Sequence, residues 1–141
     1  MFSLDSRLQQ DTVVLGDFPL CRLLLMNDAN YPWFILVPRR EAVSELFQLD
    51  TADQALLWQE TTQLAAVLKD VFAADKMNVA TLGNVVSQLH MHVIVRHQED
   101  PSWPAPVWGR CPVRAYSAEE VAAIRQRLQG VLADDFQFAE G

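Results

Sequence analysis

Two stretches of the chain carry apolar residues at the spacing of an amphipathic helix. Residues 50–74 begin with an N-cap, Asp50, and residues 117–132 begin with a capping box formed by Ser117 and Glu120. The apolar stripes are Leu57, Leu64, Leu68 and Val71 in the first stretch, and Val121, Ile124, Leu128 and Val131 in the second. We therefore predict a long central helix and a C-terminal helix, each with one buried face.

Five short apolar runs with turn signals at their ends have the pattern of β-strands. They are Val13–Leu15, Arg22–Met26, Phe34–Val37, Met77–Leu82 and Leu89–Arg96. The order of strands and helices along the chain predicts an α+β fold with an antiparallel sheet of about five strands. Because the chain contains no internal repeat or linker sequence, residues 1–141 are expected to form a single domain.

The segment 98–116 differs from its surroundings because it is rich in proline and tryptophan. These residues are Pro101, Pro104, Pro106 and Pro112, together with Trp103 and Trp108. Proline lacks a backbone N–H, so we predict an ordered loop rather than a helix or a strand. Two roles stay open for the tryptophans: they fasten the loop to the body of the protein, or they form a rim over a site.

Composition narrows the class of protein. Half of the 141 residues are hydrophobic, and the net charge of −7, from 11 Lys and Arg and 18 Asp and Glu, argues against binding of nucleic acid polymers. Two cysteines, Cys21 and Cys111, are too few for a disulfide framework and lack the spacing of a zinc site. There is no signal-peptide pattern and no apolar run of about 20 residues, so we expect a cytoplasmic protein without a membrane partner.

The three histidines of the chain, His90, His92 and His97, lie within eight residues, the first two in the last predicted strand and His97 directly after it. Side chains alternate between the two faces of a strand, so His90 and His92 share one face. The same face carries Gln88, Ile94 and Arg96, whereas Leu89, Met91, Val93 and Val95 form an apolar face on the other side. We therefore predict two imidazoles side by side above a rigid sheet, and we expect Arg96 at the surface.

Three uses of paired imidazoles stay open from the spacing alone. The first use is as metal ligands, and a metal ion needs three or four of them. His97 lies on the opposite face, and the only further candidate ligands nearby are Glu99 and Asp100, just after the strand. We therefore expect neither a metal nor a cofactor. Nucleophilic catalysis needs one neutral imidazole with a free lone pair and a neighbour that hydrogen-bonds the reacting group. The third alternative is that the histidines are polar residues on a solvated sheet face.

The sequence around these histidines resembles the signature of the histidine triad family. The stretch 83–96 reads GNVVSQLHMHVIVR, and upstream the stretches 23–27 (LLLMN) and 34–39 (FILVPR) are similar to the family's strand, turn and strand around a nucleoside pocket. In this register His90 matches the middle, nucleophilic histidine and His92 the third. Two positions depart from the pattern, because Gln88 replaces the first histidine and Trp33 stands where many members carry a histidine.

The resemblance implies a histidine-triad-like domain with a core at 21–97, the loop at 98–116 and the helix at 117–132, usually as a homodimer. It implies that His90 attacks a nucleotide α-phosphate without a metal and forms a nucleotidyl-histidine. His92 would hydrogen-bond the phosphate and assist the leaving group. The remaining implied nucleotide contacts are Gln88, Asn84 and Ser87 near the phosphate and Asn27 at the ribose. Asn27 could equally be a turn residue.

Several functions therefore stay open. The leading one is a hydrolase or transferase acting on a small nucleotide, such as a dinucleoside polyphosphate or a nucleoside phosphoramidate. The second is a protein of the same fold that binds nucleotides without turnover. The third is a metal-dependent protein that uses the paired histidines.

Overall fold

A computed structural model describes residues 1–140, which form one mixed α+β unit around a six-stranded antiparallel sheet. The helices are α1 (Ser6–Asp11), α2 (Thr51–Val71) and α3 (Ala118–Leu128), with a 3₁₀ helix at Leu46–Gln48, and the strands are β1 (Thr12–Asp17), β2 (Cys21–Met26), β3 (Trp33–Pro38), β4 (Lys76–Ala80), β5 (Met91–Arg96) and β6 (Gln137–Phe138). The strand order is β4-β5-β3-β2-β1-β6. The predicted fold class is confirmed. Across residues 1–140, none of the helices has the length and apolar character needed to cross a membrane.

The two predicted helices begin at the predicted caps. The Asp50 side chain accepts a hydrogen bond from the Asp53 backbone N–H, and Ser117 and Glu120 form a reciprocal capping box. Helix α3 ends at Leu128, earlier than predicted, because Gly130 adopts a positive φ of 79° that terminates the helix.

Two elements were not predicted from the sequence, helix α1 and strand β6. Each is short, so neither produces a recognisable apolar period. Strand β6 pairs with β1 beside Gly16, where a Cβ atom would lie only 2.3 Å from the Gln137 carbonyl oxygen. This close approach of two backbones is available to glycine alone.

Both faces of the sheet are covered. On one face, α2 packs on the predicted apolar positions of β5, and these residues belong to the larger core cluster, which also includes Ile124 and Leu128 of α3. On the other face, a smaller cluster forms beneath the N-terminal segment and the loop at 98–116, including Leu4, Leu8, Ile94 and Val107. Strand β5 is therefore buried on both sides, and its polar side chains lie between layers of protein.

Arg96 is the clearest departure from expectation, since it is buried rather than at the surface, with 1% of its side chain exposed. Its guanidinium forms a paired ion contact with Asp100, at 2.8 and 3.1 Å, and donates to the Asn78 side chain. Trp103 and Tyr31 each place a ring 5.6 Å from the guanidinium carbon. Arg96 therefore holds the start of the loop on the sheet and is not available to a phosphate.

The loop at 98–116 serves both of the roles considered for its tryptophans. Trp103 fastens the loop by stacking on buried Arg96. Trp108 instead lies edge-on to the rings of His92 and Trp33, with centroid distances of 5.0 and 5.6 Å, and stays 39% exposed. One tryptophan thus anchors the loop, and the other forms a rim beside the histidines.

We predict that Arg96→Gln lowers the free energy of unfolding by about 3 kcal/mol or more, because it leaves the Asp100 carboxylate buried without its cation. Urea denaturation measures the change. The matched control is Arg40→Gln, which breaks a solvent-exposed pair with Asp53 and should cost about 1 kcal/mol or less. Equal losses in the two variants would contradict a special role for the buried pair.

Candidate functional site

His90 and His92 lie side by side at the beginning of strand β5, as their spacing predicted. His90 directly precedes the strand and His92 is its second residue, and the two ring centroids are 4.8 Å apart. Both side chains are buried, with 6% and 4% of each residue exposed. His97 lies elsewhere, with its Nε2 atom 2.9 Å from the Phe72 carbonyl oxygen. The sheet therefore brings two of the three histidines together and separates the third.

The paired histidines form part of the wall of an open cleft of about 330 Å³. Most of the lining is apolar, and the polar groups that it includes are the two imidazoles, Asp11 and Asn84. The apolar lining comes from Leu8, Met26, Ile35, Leu82, Val85, Val86 and Trp108. A cleft of this kind suits a ligand with a flat apolar part and a polar group that reaches the imidazoles.

A backbone hydrogen bond fixes a proton on one nitrogen of the His90 ring. Its Nδ1 atom lies 2.7 Å from the backbone carbonyl oxygen of Gln88, which can only accept, so Nδ1 carries the proton. The neutral ring then keeps a lone pair on Nε2. The Thr81 hydroxyl donates to the His90 carbonyl at 2.7 Å and so fixes the backbone next to this ring. These contacts give His90 the tautomer that a nucleophile requires.

His92 is held in the opposite tautomer. The indole N–H of Trp33 donates to His92 Nδ1 at 3.0 Å, and because an indole N–H is only a donor, Nδ1 must be the acceptor. The proton of the neutral His92 ring is therefore on Nε2. Burial, and to a smaller extent the neighbouring His90, lower the pKa of His92 to about 3. His92 is consequently a neutral hydrogen-bond donor at physiological pH.

The other residues predicted to contact the nucleotide line three different clefts. Asn84 lines the histidine cleft. Ser87 and Gln88 instead line a separate cleft of about 420 Å³ beside Ser3 and Asp5. The Gln88 amide accepts from the Asp5 backbone N–H at 2.8 Å and donates to the Ser3 carbonyl at 2.9 Å. Its side chain thus anchors the N-terminal segment, whereas its backbone carbonyl positions His90.

Asn27 is a turn residue that also lines a cleft. Its side-chain oxygen accepts from the Tyr116 backbone N–H at 2.8 Å, which ties the turn after β2 to the far end of the loop. Asn27 also lines a cleft of about 440 Å³ that adjoins the histidine cleft and shares Asp11, Met26 and Trp108 with it. It therefore borders the extended site at a distance from the imidazoles.

Sequence reasoning did not assign two residues that shape this site. Asp11 ends helix α1, whose capping residue Asp5 and apolar pair Leu4 and Leu8 were the available signals. Trp33 was noted only as a departure from a pattern. Its bond to His92 joins residues 59 positions apart and could not be inferred from local spacing.

Comparison with known proteins identifies the family of this chain. The family model described as "HIT domain" matches residues 7–99, and a search of curated protein sequences gave no match. Crystal structures of histidine triad proteins from three bacteria are similar over nearly the whole chain.

The protein from Marinobacter aquaeolei VT8 is 48% identical with a TM-score of 0.91, covering 94% of this chain and 96% of that one. The protein from Bradyrhizobium japonicum is 45% identical with a TM-score of 0.90, covering 92% and 97%. The protein from Sinorhizobium meliloti 1021 is 45% identical with a TM-score of 0.91, covering 94% and 98%. The chain therefore belongs to the HIT domain family.

Proposed function

We propose that this protein binds a nucleotide in the histidine cleft and cleaves it at the α-phosphate, as a hydrolase or transferase. The observation that carries the proposal is the His90 ring, whose Nδ1–H is fixed on the Gln88 carbonyl while Nε2 keeps its lone pair. The family resemblance supplies the substrate class, and the mostly apolar cleft is compatible with a nucleoside next to a polar phosphate contact.

The proposed reaction has two displacements at phosphorus. In the first, the lone pair of His90 Nε2 attacks the α-phosphorus, and the bond to the leaving group breaks with its electrons remaining on that group. The attached ring keeps its Nδ1–H and is cationic, which makes it a good leaving group in turn. In the second, water attacks the phosphorus, the N–P bond electrons return to His90, and a water proton passes to solvent.

The remaining polar groups of the site support this chemistry by position. The Nε2–H of His92 donates to the phosphate or to the departing atom, which stabilises the charge that develops there. We assign Asn84 to the phosphate and Asn27, on the adjoining cleft, to the ribose. Cys21 and Cys111 are free thiols, which supports a location in the reducing cytoplasm.

We predict that His90→Ala lowers turnover by about 10³-fold or more, because it removes the group that forms the covalent intermediate. Rapid quench of the wild-type protein with adenylylated and guanylylated substrates should trap a nucleotide on His90, and a chelator should not change the rate. His97→Ala is the matched control, since His97 contacts Phe72 away from the cleft, and it should keep wild-type turnover.

Two results would redirect this proposal. Tight nucleotide binding with no product and no trapped intermediate would identify a binding protein of the same fold. Activity that persists in His90→Ala, or that depends on added zinc, would show that another mechanism operates.

For Gln88→Ala we predict a loss of about 1 to 2 kcal/mol in the free energy of unfolding and a change in kcat of less than about threefold. The side chain binds Ser3 and Asp5, whereas the carbonyl that holds His90 is retained in the variant. Thermal or urea denaturation and steady-state kinetics measure the two effects. A drop in kcat of ten- to a hundredfold with unchanged stability would instead place Gln88 in the catalytic machinery.

We further propose that the protein is a homodimer. Strand β4 is one edge of the sheet, and the apolar residues Val79, Leu82 and Val85 on or just after it are 42%, 50% and 75% exposed. A second copy would cover this edge and Val79, next to the histidine cleft that Leu82 and Val85 also line.

Light scattering at micromolar concentration should give twice the chain mass of 16.0 kDa. Val79→Asp should shift the protein toward the monomer. The exposed Val113→Asp is the control, because Val113 lies in the loop at 98–116 and lines the cleft of Asn27 rather than belonging to strand β4. A wild-type protein that scatters as a monomer would exclude the dimer.

A further inference from the structure

The hydrogen bond between Trp33 and His92 restricts what His92 can do. An indole offers one N–H and no acceptor, so the contact exists only while His92 Nδ1 carries a lone pair. Protonating His92 would place a second N–H opposite the first at 3.0 Å, so the bond would have to break. Trp33 is itself fixed, with 6% exposure and edge contacts to Tyr31 and Trp108.

We propose that Trp33 is a positioning residue that keeps His92 a neutral Nε2–H donor, so that the site favours leaving groups that depart as anions and selects phosphoanhydrides over phosphoramidates. This inference rests on the proposed function and names the substrate class within it. It follows from the donor chemistry of one indole and needs no contact to the substrate beyond His92.

The two substrate classes differ in the proton that they require. When a P–O bond of an anhydride breaks, its electron pair stays on a phosphate oxygen, which is stable as an anion and needs only the hydrogen bond from His92 Nε2. When a P–N bond of a phosphoramidate breaks, the electron pair goes to a nitrogen that must gain a proton to leave as an amine. Neutral His92 has no proton to give without becoming an imidazolate.

The surroundings of His92 act in the same direction. The titratable groups that line its cleft are His90, whose ring centroid lies 4.8 Å away, and Asp11 at the end of α1. The β3 and loop side chains packed against the ring are Trp33 and Trp108, which carry no charge. The lowered pKa of His92 agrees with the geometry, because burial without a fixed anionic partner disfavours the imidazolium.

The tautomer can be measured on the free protein without any substrate. Nitrogen-15 NMR of the labelled protein distinguishes a protonated from an unprotonated ring nitrogen, and we expect His92 to show a bare Nδ1 and a protonated Nε2 at pH 7. In Trp33→Phe, which keeps an aromatic ring but loses the N–H, we expect this preference to weaken and His92 to titrate at higher pH. Trp58→Phe on the exposed side of α2 is the matched control and should leave the His92 signals unchanged.

The leaving-group preference is tested with two substrates that share one nucleotidyl group. At saturating concentration, the single-turnover rate with diadenosine triphosphate should exceed that with adenosine 5′-phosphoramidate by about 100-fold or more, which is the lower end of what general acid catalysis contributes. The guanosine pair is measured in parallel. Trp33→Phe should reduce the ratio at least about tenfold, with a larger effect at pH 6 than at pH 8, whereas Trp58→Phe should keep it.

The outcomes separate this inference from the proposed function. A protonated His92 Nδ1 in the wild-type protein, or equal rates with the two substrates, would overturn the role of Trp33 and leave nucleotide cleavage by His90 in place. No turnover of any substrate and no nucleotide trapped on His90 would overturn the proposed function, and the leaving-group preference with it.

Discussion

Strand β5 is hydrogen-bonded on both sides, and the position of both imidazoles depends on this pairing. His92 stands opposite Ile35 of β3 and Ala80 of β4, so its backbone cannot shift without breaking two ladders. The alternation of side chains then directs one set of residues into the helix-covered core and the other set toward the cleft. His90, one residue before the strand, is held by the Thr81 hydroxyl at its carbonyl oxygen. Each ring is thus set by a rigid backbone before any ligand is present.

The second face of the sheet is covered only in part, and the cleft lies where the cover is missing. Helix α1 supplies Leu8 and Asp11 on one side, and the loop supplies Trp108 on another. Both are fixed from a distance, because the Gln88 amide binds the chain just before α1 and Arg96 with Asp100 holds the start of the loop. Strand β5 and the residues just before it therefore organise the walls of the site as well as its floor. These polar anchors therefore stabilise the segments that border the site.

The sequence predicts the parts of this structure that depend on local patterns, and it does not predict those that depend on distant partners. The helix caps and the alternating strand each arise within a few residues, and the pairing of His90 with His92 follows directly from strand geometry. The burial of Arg96 depends on a loop that folds back and on Asn78, 18 residues away.

The partners of Gln88 are 83 and 85 positions distant, and no spacing rule connects them. The short elements α1 and β6 escaped prediction for a related reason, since tertiary pairing rather than propensity stabilises them. The sequence therefore predicted that His90 and His92 lie side by side, while their tautomers became evident only when the fold supplied the hydrogen-bonding partners.

The aromatic lining of the site also gives the protein a natural optical probe. Of the four tryptophans in the chain, Trp33 and Trp108 border the histidines, whereas Trp58 lies on α2 and Trp103 is stacked on Arg96. Indole emission depends on the polarity and hydration around the ring. Trp33 is sealed from solvent and Trp108 is partly exposed, so a ligand that enters the cleft displaces water mainly from Trp108. We therefore expect a ligand in this cleft to change mainly the emission of Trp108, so that binding can be followed without an added label.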